Sequence, residues 1–167
     1  MIDSSLLGSA HRLPHYCYAE AVALVDGPGG PYEPDEWTVD IADTGILFAT
    51  FYYRRTTART SDHRHGSVPS VLSVDPVVND KAWPHGVALS WDSADGWAYT
   101  PLRDEFSTTE DYWDPLPVDR LAAPAALRAV LVPLLDGRED DMPASPDRWE
   151  EPRAATLSEY LDHLPTR

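Results

Sequence analysis

Gly86-Val87-Ala88-Leu89-Ser90-Trp91-Asp92-Ser93-Ala94-Asp95-Gly96-Trp97-Ala98-Tyr99-Thr100-Pro101-Leu102 is the stretch on which the fold turns. Val87, Leu89 and Trp91 alternate with smaller or polar residues, Asp92 to Gly96 reads as a turn, and Trp97 to Leu102 returns. Period-two alternation on both sides of a glycine-bearing turn predicts a β-hairpin with one buried face. Upstream, Trp37, Val39 and Ile41 alternate with Thr38 and Asp40, and the turn Asp43-Thr44-Gly45 leads into the aromatic and β-branched run Ile46 to Tyr53. This is a second hairpin. With a short strand expected over Val68 to Val74, the pattern predicts an antiparallel sheet of about four to five strands.

The flanks carry helical periods. Pro14 suits a first helical turn, and Tyr16, Cys17, Ala21, Leu24 and Val25 recur at helical spacing before Asp26 and Gly27. Gly27 to Glu36 reads as a Pro/Gly-rich connection, and Arg103 to Pro117 as a loop with neither period. Pro124 then opens a helix whose Leu127, Val130, Leu131, Leu134 and Leu135 form an apolar stripe, with Gly137 as its stop and Pro133 expected to kink its last turn. Thr156 and Glu159 have capping-box spacing ahead of Leu157, Tyr160, Leu161 and Leu164. The fold class is therefore α+β: a single domain over 1–137 with an N-terminal and a C-terminal helix against the sheet. An acidic, proline-containing and mobile linker is expected over 138–155, and a short terminal helix over 156–164.

Composition narrows function by exclusion. The 167 residues include 13 Lys+Arg and 28 Asp+Glu, a net charge of −15, which opposes general binding to nucleic acid or anionic membranes and favours a protein partner with a basic surface. The apolar runs fall well short of the roughly 20 residues that span a bilayer, and the opening residues Met1 to Ala10 lack a basic n-region and an apolar core. Cytoplasmic localisation is the resulting expectation. The single cysteine, Cys17, allows neither an intramolecular disulfide nor a multi-cysteine zinc site. No cofactor and no metal are expected.

Beyond these patterns, Gly86-Val87-Ala88-Leu89-Ser90-Trp91-Asp92, Gly96-Trp97, Pro115-Leu116-Pro117-Val118 and Leu121-Ala122-Ala123-Pro124 resemble a family of small domains of unknown function from high-GC bacterial genomes. The resemblance covers the opening helix, the tryptophan hairpin and the second helix; Thr56 to Pro84 and the acidic tail stand outside it. It implies a small cytoplasmic α+β domain and brings no activity, cofactor or catalytic residue.

Two groups of residues stand out as binding candidates. Residues 44–91 alone carry more bases than acids, with Arg54, Arg55, Arg59 and Arg64 close to His63 and His65. Such a cluster suits a phosphate or carboxylate, with His63 as a general base, or merely neutralises the chain's own carboxylates. A metal site at Asp62, His63, His65 and His85 is opposed by the adjacent arginines. Among six tryptophans, Trp83, Trp113 and Trp149 lie in irregular polar contexts that fit either interface anchors or packing over an open edge of the core. Cys17 beside His15 reads as a structural cysteine, and Gly27-Pro28-Gly29-Gly30 lacks the Gly-Lys-Ser/Thr of a phosphate loop. The leading expectation is a non-enzymatic acidic interaction or regulatory domain. The alternatives are a small-ligand-binding domain or enzyme using Arg54 to His65, and a decoy that mimics DNA.

Overall fold

Both expected turns close on glycines in the left-handed region, Gly45 at φ +83° and Gly96 at φ +89°, a conformation that costs a residue with a Cβ about 1–2 kcal/mol. In the computed structural model, which describes residues 13–54, 78–104 and 112–163, these turns join β1 (Glu36–Ile41) to β2 (Leu47–Tyr53) and β3 (Val87–Asp92) to β4 (Gly96–Pro101). A fifth strand, β5 (Asp114–Pro115), pairs with β4. The sheet is antiparallel throughout, with the strands side by side in chain order. β5 lies within the stretch that reads as a loop, because two residues are too few to leave an alternating pattern. The expected strand over Val68 to Val74 lies outside the described residues.

Register explains why one face is so aromatic. Val39 stands opposite Ala49, Ala49 opposite Trp91, and Trp91 opposite Trp97, while Trp37, Phe51, Leu89 and Tyr99 form the next row. Side chains alternate across a strand, so pairing odd positions with odd positions puts all of these on one face. That face, with the helices, makes the core. The other face carries the small row Thr38, Thr50, Ser90 and Ala98, flanked by rows that include Phe48 and Tyr52.

Among the described residues three helices complete the α+β fold. In α1 (Tyr16–Ala23) the buried residues are Tyr18, Ala19, Val22 and Ala23, in phase with the buried His15 just before it. The sequence stripe of Tyr16, Cys17, Ala21, Leu24 and Val25 is only half-buried. This helix has a single charged residue, Glu20, so its periodicity does not select a face. The choice falls on the side where Tyr18 donates its hydroxyl to the Ala122 carbonyl at 2.7 Å and accepts from Trp97 Nε1 at 3.0 Å. In α2 (Pro124–Leu135), Ala126, Leu127, Val130, Leu131, Pro133, Leu134 and Leu135 are buried, and the helix runs two residues beyond Pro133. α3 (Pro152–Asp162) begins four residues before the expected Thr156, with Pro152 in its first turn. Thr156 and Glu159 are therefore inside the helix rather than at its cap, while Leu157 and Leu161 are buried as the spacing requires.

The acidic stretch expected to be a mobile linker is instead tied to the domain. After a 3-10 turn at Glu139–Asp141, Ser145 N–H donates to Pro117 O, Asp119 N–H to Ser145 O, Ala123 N–H to Asp147 O, and Trp149 N–H to Leu121 O. Composition is blind to such main-chain pairing, which needs no apolar run, and the Trp149 ring adds the buried surface that offsets ordering entropy.

Candidate functional site

Arg54 is the one described member of the Arg/His cluster; Arg55, Arg59, His63, Arg64 and His65 lie outside the described residues. Its Nη1 donates to Glu36 Oε2 at 2.8 Å, its guanidinium carbon lies 4.8 Å from the centre of the Tyr52 ring, and its N–H donates to Asp35 Oδ2 at 2.7 Å. This arginine is engaged with the chain's own carboxylates. Among the described residues no group of three or more His, Cys, Asp or Glu is placed to hold a metal ion.

The tryptophans separate. Trp83 is buried edge-on to Tyr99, and its Nε1 donates to Leu134 O at 2.7 Å. Trp149 is buried with its ring 5.0 Å from that of Tyr18. Of the two roles open to them, the structure therefore gives packing at the core margin, because a buried ring leaves no surface for an anchor. Trp113 is half-buried beside β5. Its neighbour Tyr112 is, among the described residues, the most exposed large hydrophobic side chain, at 73%, and nothing in the local pattern distinguishes it.

A different feature emerges around β1. From residue 13 to residue 53 the chain has no Lys or Arg, against the acids Glu20, Asp26, Glu33, Asp35, Glu36, Asp40 and Asp43. Two are offset from outside the stretch: Asp26 by Arg128 at 2.6 Å and Glu36 by Arg54. Among the described residues no Lys or Arg forms an ion pair with Glu33, Asp40 or Asp43, and all three residues are exposed.

Among the described residues β1 is also an edge strand, paired only with β2. Ala42 N–H donates to Ile46 O. Antiparallel pairs alternate between bonded and non-bonded positions, so Glu36, Thr38 and Asp40 bond inward to β2, and the peptide groups of Trp37, Val39 and Ile41 face outward. Of these outward groups, the Ile41 N–H is taken by Asp40 Oδ1 at 2.8 Å. On the core side, Trp37 lies against Tyr16 at 5.4 Å and stacks on Phe51 at 6.3 Å, and both Trp37 and Val39 are only half-buried. Ile41 is 42% exposed. The acid-only stretch was readable in the sequence; that it ran along an open sheet edge depends on strand order.

Beneath β1 lies His15, the one fully buried imidazole among the described residues, whose Nε2–H donates to Phe48 O at 2.9 Å while Nδ1 has no partner among them. Burial holds its pKa below the usual 6.5, outweighing the main-chain carbonyls of Phe48 and Asp40 and the Asp40 carboxylate, all of which favour the cation. The unfolded chain therefore takes up this proton first as pH falls. The stabilisation is complete above about pH 6.5 and is lost as pH drops through that value toward the lower folded pKa. Urea unfolding at roughly pH 7.5 and 5.5 should show a larger loss of stability in wild type than in His15→Gln; equal losses would remove His15 as the cause.

Comparison with family models, with curated proteins and with solved structures gives no match for this chain.

Proposed function

We propose that this chain is a non-enzymatic acidic interaction or regulatory domain whose partner is a protein with a basic surface. The observation that carries this reading is the stretch 13–53, which has seven acids and no Lys or Arg, with Glu33, Asp40 and Asp43 left outside any ion pair to the described residues. Complementary charge accelerates encounter and excludes wrong partners. The reading is also supported by how the buried polar groups are used: Ser93 Oγ accepts from Leu47 N–H at 3.0 Å and His15 binds a strand carbonyl, both structural tasks. Arg54, the described part of the cluster offered for an anionic substrate, already serves Glu36 and Tyr52. Among the described residues no helix is long and apolar enough to cross a membrane.

The test begins with crosslinking in the native cell and identification of the captured protein, followed by calorimetry with the purified pair. A stoichiometric complex should weaken as salt rises, because charges beyond about 8–10 Å are screened at moderate ionic strength. Neutralising Glu33, Asp40 and Asp43 together should weaken it further, while the same change at Asp136, Asp140 and Asp141 should do less. Binding that ignores both salt and these substitutions would overturn the reading, as would turnover of a small anionic substrate.

A further inference from the structure

The proposed function leaves open how an acidic surface would hold one partner in one register, and β1 supplies an answer. We propose that the free edge of β1 takes up an extended, alternately basic and apolar segment of the partner as a sixth strand of the sheet. This inference deepens the reading above and rests on it.

Three observations converge. The first is main-chain capacity: the peptide groups of Trp37 and Val39 face away from β2, and among the described residues β1 has no strand partner on that side. The second is the apolar side of the strand. Trp37 and Val39 pack against the core yet remain half-exposed, and Ile41 stands 42% exposed at the strand end. An added strand would place its own apolar side chains beside them and extend the buried face. The third is charge. On the opposite face β1 presents Asp40, and Glu36 already paired with Arg54, with Glu33 and Asp43 at its two ends and no base on the strand itself. Lys or Arg at the alternate positions of an incoming strand would stand beside those carboxylates.

Charge also decides against the competing occupant, a second copy of this chain. Antiparallel self-pairing centred on Val39 would set Trp37 beside Ile41, which is apolar and sterically reasonable. It would also bring two acid-only stretches together on molecules that each carry −15. Like charges along an edge are a recognised means of preventing such pairing, and here they leave the edge open to a strand of opposite sign. Asp40 adds a local guard, since its Oδ1 occupies the Ile41 N–H.

The test uses the wild-type chain and a capped octapeptide of alternating lysine and valine. In the proposed register the valines stand opposite Trp37 and Val39, so their N–H groups point at β1. Titration should give saturable binding and slow exchange of the Trp37 and Val39 amides by about tenfold or more. The same peptide with every valine N-methylated keeps its charge but loses those donors, and should bind about tenfold more weakly or worse. Equal affinity for the two peptides would overturn strand addition while leaving the acidic-surface reading intact. Absence of salt-sensitive binding to either peptide, together with failure of the captured partner to respond to salt, would overturn both. A dimer in sedimentation experiments, with the Trp37 and Val39 amides already protected, would assign the edge to a second copy and overturn the proposal.

Discussion

Trp91→Ala should cost about 3–5 kcal/mol of unfolding free energy, the range for truncating a large buried aromatic. Trp91 is fully buried, stands edge-on to Tyr18 with ring centres 5.4 Å apart, and lies 5.7 Å from His15. Its Nε1 also donates to the Arg120 carbonyl at 2.6 Å, fixing the segment that leads into α2 against β3. Alanine would open a cavity between the sheet and α1 and leave that carbonyl without its donor. Against a total stability of about 5–15 kcal/mol, much of the margin would be gone. Trp91→Phe separates the two effects: it keeps most of the volume and should cost about 1–3 kcal/mol through the unpaired carbonyl. Urea unfolding of the three proteins measures both, and a loss below about 1 kcal/mol for the alanine variant would contradict the packing described.

Leu131→Ala should cost about 2–5 kcal/mol. Leu131 is 1% exposed in the middle of α2 and shares its buried face with Leu127, Val130 and Leu134. A cavity there is closed in on all sides and has little room to collapse, which places the cost toward the upper part of the range. The neighbouring Ala129 is exposed, so Ala129→Ser should change stability by no more than about 0.5 kcal/mol. A difference between these two variants too small to measure would place α2 elsewhere.

The parts of the fold legible in the sequence are those where a period meets a stop. Both hairpins are of this kind, with alternation ending at Gly45 and Gly96, and so is α2, where a leucine stripe ends before Gly137. What was not legible depends on contacts between distant residues. The buried side of α1 is chosen by Tyr18 reaching Ala122 and Trp97, not by its own nearly all-apolar turns. The segment 145–149 looks like linker because its order comes from hydrogen bonds to residues 117–123. The binding candidates divide for the same reason. Trp83 and Trp149 sit in polar sequence but fold inward, whereas the open edge of β1 is invisible until the strand order is known.

The strictly sequential strand order has a consequence for the chain as it leaves the ribosome. Each hairpin closes across a short turn, so β1 with β2, and later β3 with β4, can pair as soon as they emerge. Their aromatic face cannot be covered so early. Tyr18 finds its carbonyl partner only at Ala122, and the sheet acquires its leucine cover only when residues through Leu135 are free. Throughout that interval Phe51, Trp91 and Trp97 would stand in water on an incomplete sheet with open edges, the condition under which nascent β-structure associates wrongly. The early acid-only stretch surrounds β1 during this same interval, so the charge that is proposed to select a partner would also keep neighbouring unfinished chains apart.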